Sequence, residues 1–146
     1  MSNYYKTSSE ILENSLKKNE FLKTADKYLA HTPPFKSRKK PEKLLEHIEL
    51  VNAYCKELIN NHYLNSVIDS LIKEYLDNFD LASKELINFT KKLYLNTIVF
   101  HDYGKVNENF QVDKMRNPEF DKIDSPIASR HSSLGAFIYL IKHFQE

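Results

Sequence analysis

Two neighbouring residues, His101 and Asp102, follow an apolar run in the segment "NTIVFHDYGKVNENFQ", residues 96–111. An imidazole and a carboxylate are donors for borderline divalent metals such as Mn, Fe, Co, Ni and Zn. A carboxylate has two oxygens and can bridge two ions, as two-metal phosphoryl chemistry requires at roughly 3.5–4 Å separation. Adjacent helical residues point about 100° apart. His101 and Asp102 therefore cannot share a helix face, but both reach a metal in a cleft where several helices converge. His47 in "LLEHIELV" and His131 in "SRHSSLGAFIY" are the imidazoles other helices can deliver there. Gly104 allows a tight exit in the left-handed conformation that stops a helix, and Lys105 returns as a cation for phosphate charge. The dipeptide alone means little, and a histidine beside a core stripe is also a common structural residue.

The elements that must position these residues read as helices. With 2 glycines and 5 prolines in 146 residues, and abundant Leu, Lys, Glu, Asn and Ile, composition favours an all-α bundle. The pattern predicts helices over 8–29, 41–61 with Pro41 at the first position, 64–78, 83–102, and from 129 onward. Between the first two, "AHTPPFKSRKK" is a loop. Leu44, Ile48, Val51, Cys55 and Leu58 form one apolar stripe predicted to be buried, with His47 beside it. The length fits a single domain over residues 1–146. A lone cysteine, Cys55, excludes a disulfide framework and a Cys-rich zinc site, and reads as a buried structural thiol. The first thirty residues are too polar for a signal peptide, and no apolar run approaches a membrane span, so the expectation is a soluble, cytoplasmic protein. The balance of 21 basic and 20 acidic residues gives no global nucleic-acid signature. The 9 tyrosines and 9 phenylalanines are expected to pack the core.

The order His…His-Asp-x-Gly-Lys resembles the HD phosphohydrolase superfamily, a helical metal-dependent fold. Finer features resemble one branch, the HD nuclease domain of CRISPR type I interference, found alone or fused to a helicase. "YLAHTPP" is similar to its lead-in element, "LLEHIELV" to its first ligand helix, and "VFHDYGKVNENFQ" to its signature. "SRHSSLGAFIY" is similar to its His-Ser-x-x-Gly-Ala element. These segments run in family order from residue 28 to 139.

That resemblance implies a metal-dependent endonuclease or exonuclease cutting single-stranded DNA in CRISPR antiviral defence, beside a fused or separate helicase and the interference complex. It implies two divalent ions per complete site (Mn, Ni, Co, Fe or Zn, with Mg admissible). His47, His101 and Asp102 become metal ligands with Asp102 as the bridge. His131 becomes a ligand of the second ion, and Lys105 lies near the scissile phosphate. His31 matches the lead-in element without an assigned role. The branch continues with a histidine pair and a distant aspartate, which nothing after His131 supplies. His143 comes too soon and reads as exposed, while Asp113, Asp121 and Asp124 precede His131. The chain is therefore expected to be the N-terminal portion of the domain, incomplete at its C-terminus. Two other readings stay open: a phosphohydrolase acting on nucleotides, and a noncatalytic helical fragment that binds a protein partner or nucleic acid. Lys36, Arg38, Lys39 and Lys40 in "KSRKK" are either a solvated loop or nonspecific contacts to DNA phosphates.

Overall fold

The computed structural model describes residues 6–17, 25–34, 36–124 and 129–144, apart from the side chains of Lys17 and Phe144. Its helices are α1 (Ser8–Lys17), α2 (Leu44–Asn61), α3 (Leu64–Asp77), α4 (Lys84–Phe100), α5 (Glu108–Asp113) and α6 (His131–Phe144). Strands β1 (Leu29–His31) and β2 (Glu42–Lys43) form one short antiparallel pair. The all-α expectation holds. No helix among the described residues is long and apolar enough to cross a membrane. The chain divides into two compact units, Met1–Lys18 with Val51–Val99, and Asn19–Leu50 with Phe100–Glu146.

In the first unit, Thr7 and Glu10 form a capping box at the start of α1. The Glu10 carboxylate accepts from the Thr7 amide at 2.8 Å, and the Thr7 hydroxyl accepts from the Glu10 amide at 3.2 Å. Ser83 caps α4, accepting the Leu86 amide at 3.1 Å. Ile11, Leu12, Ile59, Leu76, Ile87, Leu95 and Val99 are buried. So is Lys91, whose ammonium lies 2.6 Å from Asp69 and donates to Asn65 at 2.9 Å and to the Lys6 carbonyl at 3.0 Å. A buried cation survives only when paired and hydrogen-bonded in this way.

In the second unit the short strands and the segment after α4 are tied by buried amides. Gln111 is fully buried; its amide accepts the Leu29 N–H at 2.9 Å and donates to the Leu29 carbonyl at 2.9 Å and the Lys105 carbonyl at 2.6 Å. Asn117 donates to Gln111 at 2.9 Å and to the Lys27 carbonyl at 2.8 Å. Asn107 caps α5, and Asn109 accepts the Ile123 amide at 3.0 Å. A 3₁₀ turn, Tyr103–Val106, lies against α6.

Several boundaries differ from the expected ones. Within the expected helix over 8–29, residues 18–24 lie outside the described set, and Leu29 begins a strand because Gln111 satisfies both its backbone groups. Pro41 precedes β2 rather than opening α2, which starts at Leu44. α4 stops at Phe100, so His101 and Asp102 sit in a turn. The α2 stripe is buried at Leu44 and Ile48, but continues through Asn52 and Ile59. Leu58 is 55% exposed and Cys55 only half-buried, since a 4-3 spacing drifts off the covered face of this helix. Many aromatics are exposed rather than packed, among them Tyr54, Tyr63, Tyr75, Phe79 and Tyr94 in the first unit, because a unit this small cannot cover all its apolar surface. His143, expected on an exposed face, is half-buried, with Nδ1 2.8 Å from the Tyr139 carbonyl and its ring 5.8 Å from that of Phe100.

Gly104 does not take the left-handed conformation expected of it, as no described glycine has positive φ. The need is for space. A Cβ there would lie 1.6 Å from the His131 carbonyl oxygen and 2.7 Å from the Gly135 amide nitrogen, so the turn and α6 meet backbone to backbone. Neither obstacle is a side chain that can rotate away. Gly104→Ala should therefore cost about 3 kcal/mol or more, read as a lowered urea midpoint; a midpoint equal to wild type would contradict this close approach.

Candidate metal centre

The register of the β1–β2 pair sets His31 opposite Glu42. Two residues later α2 begins, so His47 falls in its first turns. The chain leaves α4 at Phe100, whose ring packs on Tyr103 (4.3 Å) and Tyr139 (5.8 Å). His101 and Asp102 thus occupy the corner between a buried helix end and a buried 3₁₀ turn, where both can face α2.

One oxygen organises the cluster. Oδ2 of Asp102 lies 2.8 Å from Lys105 Nζ, 3.2 Å from His47 Nε2 and 3.3 Å from His101 Nε2. The two Nε2 atoms are 3.4 Å apart. Burial by itself would push the Asp102 carboxyl up. Hydrogen bonds from His101 and Lys105, and their charges, reverse this and hold it well below the usual carboxylate range. Lys105 is 6% exposed and donates also to the Ala30 carbonyl at 2.9 Å. Its ammonium is turned inward, toward Asp102 and β1.

Behind His47 stands Glu42, whose Oε1 is 3.1 Å from Nδ1. A proton donated from Nδ1 to that carboxylate leaves Nε2 as a lone-pair donor facing Asp102 and His101, the arrangement that metal-binding histidines use. The other Glu42 oxygen lies 3.9 Å from His31 Nε2. The His31 ring meets that of His47 edge-on at 4.8 Å, and donor atoms of His31, His47 and Asp102 lie within 4.8 Å of one another. Partial burial, then the charges of Lys105 and His47, lower the His31 pKa, which favours a neutral imidazole.

These donors fit a divalent ion. Nitrogen and oxygen ligands about 2.0–2.1 Å from a tetrahedral ion stand roughly 3.3–3.4 Å apart; the His47, His101 and Asp102 atoms are separated by 3.2, 3.3 and 3.4 Å. Two imidazoles and one carboxylate also suit the borderline metals. His131 is not brought into this group: it starts α6 with its ring against Phe110 at 4.6 Å. Lys36, Arg38, Lys39 and Lys40 are exposed in the loop joining β1 to β2. Sequence reasoning missed Glu42. Its only signal was a carboxylate five residues before the histidine, and the strand pairing that makes it matter was not foreseen.

Residues 35–145 match the family model described as Cas3, HD domain. The chain belongs to this family. The matched stretch contains Glu42, His47, His101, Asp102, Lys105 and His131, whereas His31 lies ahead of it. HD domains bind divalent metals, and the His–Asp cluster is where this member of the Cas3 family gathers such donors. A search of the curated proteins and one of the solved structures returned no match.

If Glu42 orients His47, Glu42→Ala should weaken Mn or Ni binding about 10–100-fold in calorimetric titration. Glu42→Gln, which keeps an accepting oxygen, should recover part of the loss. Equal affinities for all three proteins would remove Glu42 from the centre.

Proposed function

We propose that this chain is a metal-dependent nuclease domain that cleaves single-stranded DNA phosphodiesters in CRISPR antiviral defence, in the cytoplasm and beside a helicase and interference complex. Family membership supports the nuclease class. The observation that carries the reading is the triangle of His47 Nε2, His101 Nε2 and Asp102 Oδ2, sized for a divalent ion.

The chemistry a divalent ion supplies in such a site is Lewis-acid polarisation of a phosphoryl oxygen and a lowered water pKa. His47, His101 and Asp102 would hold it, with Mn, Ni, Co, Fe or Zn suiting the donors and Mg less so. Glu42 fixes the His47 ring and keeps its proton on the far nitrogen. The pairing with Lys105 and His101 keeps Asp102 anionic, so it is ready to ligate without first losing a proton. Lys105 ties the carboxylate to β1 through the Ala30 carbonyl, which limits rotation of the Asp102 side chain. The gathered donors support one ion at this point. A second ion would draw on His131, whose ring would first have to leave Phe110.

The protein incubated with Mn, Ni or Co should degrade single-stranded DNA, and chelation should stop it. Asp102→Ala should reduce the rate by more than about 100-fold, beyond the range of outer-shell partners. Cleavage that survives both chelation and this substitution would sink the proposal; so would rapid hydrolysis of free nucleotides with DNA left intact.

A further inference from the structure

On the β1 side of the second unit lies a groove of about 420 Å³, lined among others by Leu29, Thr32, Pro34, Pro41, Lys114 and Arg116. None of the described residues lining it is acidic. Pro34 and Pro41, both in the lining, bracket the loop that carries Lys36, Arg38, Lys39 and Lys40, and Lys114 and Arg116 are part of the lining itself. All six are exposed, and none forms an ion pair among the described residues. Nearby Lys43 and Lys122, by contrast, pair with Glu119 and Asp113. In a chain of formal net charge +1 this is a local concentration of uncompensated positive charge.

The backbone carries a second, independent mark. The described non-glycine residues of this unit with positive φ are Lys36 (76°) and Arg116 (51°). Glycine or asparagine is the usual residue in that region, and a long side chain there costs on the order of 1 kcal/mol. Both of these strained positions hold cations, Arg116 in the groove's lining and Lys36 in the loop between Pro34 and Pro41.

The groove also adjoins the metal centre. Leu29 lines it, the next residue Ala30 binds Lys105, and His31 joins the His–Asp cluster. At about 3.3 Å per strand residue, the groove wall and the cluster are roughly 7 Å apart along β1. We propose that this groove holds the phosphate backbone of single-stranded DNA and leads the strand to the His–Asp cluster, with Lys114 and Arg116 as the phosphate contacts of its wall. This rests on the nuclease reading above. The proline walls present no N–H donors, which suits contact without base selection.

The test separates the groove from the chemistry. Binding of a fluorescein-labelled oligo(dT) of about 15 nucleotides is measured by anisotropy in EDTA, so that no cleavage occurs, across about 50–200 mM salt. Each lost phosphate contact on a single strand lowers the slope of log K against log salt by about 0.7, so Lys114→Ala/Arg116→Ala should lower it by about 1.4. Removing two charges at Lys73 and Lys142 should not, and the swap Lys114→Arg/Arg116→Lys should keep the wild-type slope, which guards against misfolding of the alanine variant. An unchanged slope in the alanine variant, an equal fall in the control pair, or tighter binding of a duplex of the same length would overturn the groove. Hydrolysis of bis(p-nitrophenyl) phosphate by the wild-type protein with Mn is measured separately. Its absence would count against the nuclease reading and leave the binding result standing.

Discussion

The ammonium of Lys105 is taken out of water, and the centre is built around that fact. A buried cation is tolerated only with a counter-charge and acceptors for its protons. Here Asp102 supplies the first at 2.8 Å, and the Ala30 carbonyl an acceptor at 2.9 Å. These two bonds join segments distant in sequence: the turn after α4 and the strand β1. Because β1 pairs with β2, and β2 runs straight into α2, fixing β1 also fixes where Glu42 and His47 stand. The spacing Asp-x-x-Lys thus positions a carboxylate, a strand and, through the strand, an imidazole on another helix.

The polar residues of "VNENFQ" supply the second layer. Asn107, Asn109 and Gln111 alternate with Val106, Glu108 and Phe110, and each is buried with its amide bonded to backbone. Gln111 acts as a one-residue strand partner, satisfying both backbone groups of Leu29. Losing such a partner leaves buried groups unpaired at about 1–3 kcal/mol each. Side-chain amides are an economical way to hold a strand of three residues, which has too few ladder bonds to hold itself. Gly104 completes the frame differently, by letting α6 approach the turn until backbones touch.

The longer helices were legible because their apolar periods are long, and α3 and α4 fall within two residues of the predicted bounds at every end, whereas the six-residue α5 lies where no helix was expected. The short pieces were not. β1 and β2 are three and two residues long, too short for a visible alternation, and β1 is held by the Gln111 amide as well as by its pairing with β2. The same gap hid Glu42, for a carboxylate in an unrecognised strand has no visible tie to a histidine in the next helix. His47, His101, Asp102 and Lys105 were nameable from residue type and motif, and the structure brings all four together. The reason Gly104 is a glycine could not be read, because it depends on α6, about thirty residues away.

Charge bookkeeping at the centre changes the part given to Lys105. The motif invites reading this lysine as the cation that meets phosphate, yet its charge is already compensated by Asp102. The Asp102 carboxylate pairs with the Lys105 ammonium at 2.8 Å, and Glu42 adds a second carboxylate beside His47 and His31. A phosphodiester carries a negative charge at every link, which a cluster holding two carboxylates does not attract by itself. On the nuclease reading that attraction would come from the divalent ion the donors fit, or from the exposed cations of the loop between β1 and β2 and of the groove lining. Lys105 holds the Asp102 carboxylate against β1 and, on that reading, leaves the pull on the substrate to other charges.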